Sequence, residues 1–287
     1  MTWSLSQQTT TRAGTVRYDR SGSGPDLVLV HGTPWSSFCW HQVIPTLSER
    51  FRVHWYDLPG YGRSQMAKDR RISLDVQGEV LGEMLDHWGL TCPLVVGHDF
   101  GGAITLRAHL LAGRDYERLV LLDAVALAPW GSPFFAHVRK HVEAFLGLPA
   151  HIHKAVVEAY IRGALAAPLP AGDFDGLVSP WLTEEGQPAF YRQIAQADQR
   201  YTDEVQPSYG KIRCPVLVGW GMDDPWIPIE TGRRLHAAIP GAQFHVFNGA
   251  GHLVQLEAAP LVASTLMNFL SAENDNAPDF MARANNG

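Results

Sequence analysis

Short apolar runs alternate with helical patterns along most of this 287-residue chain, and that alternation is what most restricts its fold. Residues 27–30 (LVLV), 52–56 (RVHWY), 94–96 (LVV), 119–122 (LVLL), 216–219 (VLVG) and 244–247 (FHVF) have the length and composition of strands. Several are apolar at every position, as parallel strands must be when helices cover both faces of their sheet. Between them lie helical periodicities at 73–89, 101–112, 230–238 and 256–270. The expected fold class is therefore α/β, a mainly parallel twisted sheet flanked by helices and joined by right-handed crossovers.

The alternation fails between residues 130 and 207. That stretch holds amphipathic patterns at 134–147, 151–165 and 187–200, broken by Pro- and Gly-rich segments such as 168–171, and no convincing strand. The expectation is a core formed by 1–129 and 208–272, an inserted helical cap at 130–207, and a polar, frayed tail at 273–287.

Composition narrows the class of function. The net charge is −6, from 23 Lys and Arg against 29 Asp and Glu, and no like-charge run of five occurs. A nucleic-acid partner and a polybasic membrane anchor are both disfavoured. No apolar stretch approaches the ~20 residues that span a bilayer, and the polar N-terminus lacks a secretory h-region. Three scattered cysteines, with no CxxC pair, fit a reducing compartment. The expectation is a cytoplasmic protein acting on a small molecule; a homodimer is compatible with the sequence.

The most informative segment is Val95-Val96-Gly97-His98-Asp99-Phe100-Gly101-Gly102. It follows a strand and opens a helix, with small residues two before, two after and three after Asp99. So tight a turn crowds the backbone and needs glycine around the residue at its tip. This is a nucleophile elbow with Asp where Ser usually sits. A helix-capping Asp on an ordinary strand–Gly–helix turn is the plainer account of the same residues.

From here the chain resembles the α/β-hydrolase family, and within it the Asp-nucleophile branch of epoxide hydrolases and haloalkane dehalogenases. His31-Gly32-Thr33-Pro34-Trp35 is similar to the family's HG-x-P loop, Gly221-Met222-Asp223-Asp224-Pro225 to its acid loop, and Gly249-Ala250-Gly251-His252 to its histidine loop. Asp57-Leu58-Pro59-Gly60-Tyr61-Gly62-Arg63-Ser64 resembles a family motif that shapes the sheet edge. The resemblance covers about residues 15–270. It implies Asp99 as nucleophile, His252 as base, and the backbone amides of Thr33 and Phe100 as an oxyanion hole. The triad acid it implies is Asp224, with Asp123, at the end of the strand 119–122, as the alternative.

An aspartate changes the expected chemistry. A carboxylate is already ionised at neutral pH and needs no activating base. Its attack on an ester would give an anhydride, more reactive than the substrate; its attack on a saturated carbon gives an ordinary ester. An epoxide or an alkyl halide is thus the expected electrophile. Tyr191, in Phe190-Tyr191-Arg192-Gln193, resembles the ring-opening Tyr of epoxide hydrolases, and Tyr160 is the nearest candidate for a second one. The N–H donors that dehalogenases use for a halide are missing at Thr33 and Phe100, which favours the epoxide. Trp35, Trp181 and Tyr160 are expected to line the pocket, although tryptophans in such chains often only pack.

No cofactor and no metal are expected. There is no dinucleotide or phosphate-binding glycine motif, and His151 and His153, two apart on a helix, do not share a face. His31 and His98 are expected to be structural hydrogen-bonders. Outside the hydrolase reading stand two alternatives. One is a receptor-like relative that binds a ligand with little turnover; the other uses His252 for proton abstraction without a covalent step.

Overall fold

The computed structural model describes residues 3–272; the expected tail at 273–287 lies outside the described residues. Eight strands form one sheet: β1 (Gln7–Thr11), β2 (Gly14–Ser21), β3 (Asp26–Val30), β4 (Arg52–Tyr56), β5 (Leu94–His98), β6 (Arg118–Leu122), β7 (Val216–Gly221) and β8 (Gln243–Phe247). Their order is β1-β2-β4-β3-β5-β6-β7-β8. The β1–β2 and β2–β4 pairs are antiparallel, and every later pair is parallel.

The central strands β5, β6 and β7 are buried at every residue. This is why they read as unbroken apolar runs. The edge strand β1 alternates partly buried with exposed residues. Its Gln- and Thr-rich composition, and the half-polar β2, hid this hairpin from the apolar-run criterion.

Helices Leu74–Trp88, Phe100–Leu110, Ile229–Ala238 and Ala259–Leu270 are among those packed around the sheet. The periodicity at 256–270 is divided in the structure: a short helix Val254–Glu257 ends before Ala259, with Pro260 in the first turn of the next helix. Pro fits there because that N–H has no intrahelical partner anyway.

Between β6 and β7 the chain forms only helices and turns, the longest being Pro133–Lys140, Ala150–Arg162, Ala171–Val178 and Gly186–Gln196. They are tied onto the core at specific points. Trp181 Nε1 donates to the Pro34 carbonyl at 2.8 Å, and Thr33 Oγ1 and Tyr61 OH both donate to Gln193 Oε1, at 2.5 and 3.0 Å. Among the described residues no helix is long and apolar enough to cross a membrane.

Strands β3 and β5 to β8 run parallel, so their C-terminal ends share one edge of the sheet. The residues that follow them, Thr33, Asp99, Asp123, Asp224 and His252, are thereby gathered beneath the helical segment. In open α/β sheets that carboxyl edge is where ligands bind.

Candidate active site

The elbow begins at Asp99, whose backbone sits at φ 54° and ψ −120°. A non-glycine residue there is strained, and such strain persists only where the surroundings enforce it. The surrounding glycines do so. A Cβ on Gly97 would lie 2.6 Å from the Gly101 carbonyl oxygen, one on Gly101 2.1 Å from that of Val30, and one on Gly102 2.4 Å from the Ala124 Cβ. Each glycine of the motif lets two pieces of the fold approach until the carboxylate projects at the sheet edge.

Asp99 is almost fully buried, and both its oxygens are engaged. Oδ1 accepts from the Thr33 backbone N–H at 2.6 Å, and Oδ2 faces His252 Nε2 at 3.2 Å. A Cβ on Gly32 would fall 2.2 Å from Asp99 Oδ1 and 2.6 Å from the Phe100 nitrogen. Only glycine leaves that hollow open, and the hollow is bordered by the first amide of a helix. Such an amide has no intrahelical partner and is free for an anion.

His252 Nδ1 lies 2.8 Å from Asp224 Oδ2. Asp224 is fixed in turn, since its Oδ1 accepts from the amides of Trp226 and Ile227 at 2.8 and 2.9 Å. Burial alone would lower the His252 pKa, but Asp224 and then Asp99 outweigh it and hold the imidazole well above its ordinary value. His252 thus stands between two carboxylates, both of which favour its protonated form. Of the two acids left open by the sequence, Asp224 makes the direct bond. Asp123 stands behind it, wholly buried at φ 42°, its Oδ1 accepting from the Gly221 amide at 2.7 Å.

His31 and His98 belong to the frame. His31 Nε2 accepts from the Leu58 amide at 2.9 Å, and His98 Nε2 is 2.8 Å from the carbonyl of His252. Asp57 accepts from the Ser37 and Arg63 amides at 2.7 Å and stitches two loops together.

A cavity of about 380 Å³ opens onto Asp99, bounded by Thr33, Phe100, Trp130, Phe135, Tyr160 and Trp226 among others. Aromatic faces dominate, and none of its described lining residues is Lys or Arg. Tyr160 reaches it from helix Ala150–Arg162, with its ring 4.6 Å from that of Trp226. Its hydroxyl makes no hydrogen bond among the described residues. Burial, with the Asp99 charge next in weight, holds the phenol well above its ordinary pKa.

Three residues expected at the site, Tyr191 as the ring-opening acid and Trp181 and Trp35 as pocket lining, stand outside the cavity lining. Tyr191 is fully buried away from the cavity, its hydroxyl 2.9 Å from His153 Nδ1 and its ring against Phe145 and Phe190. The inward face of helix Gly186–Gln196 presents Gln193, not Tyr191, to Thr33 and Tyr61. Trp181 spends its indole N–H on Pro34 and packs on Tyr61 and Phe190. Trp35 lies one layer back, stacked on Trp226 with ring centroids 5.6 Å apart. The sequence reading overlooked Trp226, Trp130, Phe135 and Gln193. Trp226 alone had a local signal, in following the acid-loop motif directly.

This elbow, the oxyanion loop, and an acid and a histidine after successive strands are joined by a direct family match. A model of the alpha/beta hydrolase family matches residues 27–265. The chain belongs to the alpha/beta hydrolase family. It is 30% identical to a 2-hydroxy-6-oxo-2,4-heptadienoate hydrolase of Pseudomonas putida strain F1, over 88% of this chain and 91% of that one. It is 29% identical to a 2-hydroxymuconate semialdehyde hydrolase of Pseudomonas sp. strain CF600, over 90% of both. Among solved structures, an alpha/beta hydrolase fold protein from Burkholderia ambifaria is 44% identical, with a TM-score of 0.90 over 93% of this chain and 98% of that one. The protein is thus a hydrolase of the alpha/beta family.

Proposed function

We propose that this hydrolase attacks an sp³ carbon through an alkyl ester on Asp99, and that its substrate is an epoxide. The observation that carries this reading is the division of labour at Asp99, a lining residue of the cavity, with Oδ1 on the Thr33 amide and Oδ2 beside His252.

In the first step Asp99 Oδ2 attacks an epoxide carbon, the ring C–O bond breaks, and the departing oxygen takes a proton from Tyr160. An alkoxide is a far stronger base than a phenolate, so even a weakly acidic buried tyrosine delivers the proton. Esterification removes the Asp99 charge, one of the two that kept His252 protonated. His252 then gives its proton back to the Tyr160 phenolate, by way of solvent, and becomes neutral. In the second step neutral His252 deprotonates a water, which adds to the ester carbonyl carbon of Asp99. The resulting oxyanion stands on the amides of Thr33 and Phe100, as preorganised donors stabilise developing charge. Collapse releases a diol and restores the Asp99 carboxylate and the His252 cation, which Asp224 orients.

The cap-borne Tyr160 favours an epoxide over a halide. A halide would find the Trp226 indole, while the Trp130 N–H is already given to Thr202 at 2.7 Å. The relatives named as a 2-hydroxy-6-oxo-2,4-heptadienoate hydrolase and a 2-hydroxymuconate semialdehyde hydrolase support a second reading, hydrolysis of an unsaturated 2-hydroxy acid that carries a further carbonyl. Against it stand the carboxylate at the elbow tip and a cavity that, among the described residues, has no Lys or Arg in its lining to meet an acid substrate.

The deciding experiment incubates the His252→Gln variant with small aromatic epoxides and weighs the intact chain. A covalent increment equal to the epoxide mass supports the reading. No increment with any epoxide or haloalkane, alongside turnover of a dienoate keto acid by the unaltered chain, would overturn it. Saturable binding that survives Asp99→Ala, without turnover of any substrate, would instead indicate a receptor-like relative.

A further inference from the structure

The proposed mechanism needs one carboxylate behind His252, yet the fold buries two. Asp123, Asp224 and His252 each bring a polar atom within 4.8 Å of the others, all three buried. The groups facing Asp123 are Asp224 from the loop after β7 and His252 from the loop after β8. His98 lies beyond His252 with ring centroids 5.0 Å apart. From the elbow, the Asp99 carbonyl accepts the Val125 amide at 3.0 Å. Asp123 Oδ1 takes the Gly221 amide, but among the described residues Oδ2 has no hydrogen-bond donor, and it is buried from solvent. An unsatisfied buried carboxylate oxygen is costly, and two ionised carboxylates sharing a dry site repel each other.

We propose that Asp123 is a positioning residue which carries a proton on Oδ2 and donates it to Asp224, forming a carboxylic acid–carboxylate pair behind His252. The proton turns the orphaned oxygen into a donor and removes the like-charge repulsion. It also leaves Asp224 as the single anion of the pair, spreads its charge over a further hydrogen bond, and so moderates its hold on His252. Burial first, and the Asp224 charge next, hold the Asp123 carboxyl well above the usual carboxylate range. The left-handed backbone at Asp123 aims the side chain inward at a conformational cost that an ordinary loop residue has no reason to bear. The role builds on the triad reading, but the protonation state of Asp123 can be read without any substrate.

The test uses the full-length, unliganded chain. Infrared difference spectra between the unaltered protein and Asp123→Asn at neutral pH report a protonated carboxyl. Nitrogen-15 NMR of labelled histidines follows the titration of His252 in the same proteins and in Asp123→Leu. The expected result is a carboxylic acid C=O band that Asp123→Asn removes. His252 should titrate within roughly 0.3 unit of its normal position in Asp123→Asn, because the amide also donates to Asp224. It should titrate higher by about one unit in Asp123→Leu, where Asp224 loses that donor. An ionised Asp123 predicts the opposite sign, since either substitution would then remove a negative charge and lower His252. A missing band, a downward shift, or no shift in a folded Asp123→Leu overturns the proposal. Should the Leu variant not fold, the near-isosteric Asn variant and the band still decide it. A band without any covalent adduct on Asp99 would retain the pair while rejecting the proposed reaction.

Discussion

His252 Nε2 lies 3.2 Å from Asp99 Oδ2, so the base touches the atom proposed to become the ester oxygen. Histidine in this arrangement has two states in one cycle. In the proposed reaction it starts as a cation beside the charged Asp99 and becomes a base once Asp99 is alkylated, because the Asp99 charge is one of the two that favour its protonated form.

Asp99→Asn keeps the shape of the side chain and removes its charge. Turnover of epoxides should fall by about 10⁴-fold or more, the scale seen when a member of a catalytic triad is lost. The melting temperature should stay level or rise, since a buried anion is gone. Single-turnover hydrolysis in heavy-oxygen water checks the covalent route, because label should enter the Asp99 carboxylate of the unaltered protein.

Tyr160→Phe and Tyr191→Phe should separate cleanly. Loss of a proton donor costs on the order of 10²–10⁴ in rate, so Tyr160→Phe should cripple epoxide opening while leaving any reaction with an alkyl halide nearly intact. Tyr191→Phe removes only the bond to His153. It should cost about 1 kcal/mol of stability and leave kcat unchanged. The reverse pattern in steady-state kinetics would reinstate Tyr191 as the acid.

Gly101→Ala is predicted to be among the most damaging single methyl additions. Its Cβ would enter the Val30 carbonyl at 2.1 Å, a backbone contact that no rotamer change relieves. Overpacking typically costs about 1–3 kcal/mol, and denaturant melts should show at least that. Gly89→Ala has open space around its Cβ but a φ of 71°, so its cost should reflect backbone strain alone and leave activity intact.

The pH dependence of stability has a definite sign. The folded-state pKa of His252 is raised above its ordinary value of 6.5. The stability it contributes is therefore complete below about 6.5 and is lost as pH rises through the raised folded value. The difference in melting temperature between the unaltered protein and His252→Gln should shrink as pH climbs above neutrality. His98 acts in the opposite direction: burial, with the charge of His252, lowers its pKa well below 6.5. Its contribution is complete above about 6.5 and is lost as pH falls from there, so acid should destabilise the fold before the carboxylates titrate.

Much of this was legible in one dimension for a physical reason. The central strands are buried on both faces, so their sequence has to be apolar throughout. The elbow has to carry glycine at 97, 101 and 102, because a Cβ added at any of them would lie 2.1–2.6 Å from a neighbouring atom. Chemistry at strand ends is read from local motifs, and those motifs kept their order. The hairpin β1–β2 escaped because an antiparallel edge exposed to water has no such compositional demand.

The sequence by itself determined the α/β alternation, the elbow with an aspartate at its tip, and the order along the chain of Asp99, Asp224 and His252. All of these rest on contacts within a few residues of the motif. Only the tertiary structure decided which carboxylate touches His252 and which tyrosine faces Asp99. It also showed that Trp226 rather than Trp35 lines the cavity and that Asp123 is buried with one oxygen unpartnered. Each of those depends on how the loops after β6, β7 and β8 and the helices between β6 and β7 come together across the sheet edge, and a helix's rotation about its axis by one residue is enough to exchange Tyr191 for its neighbours.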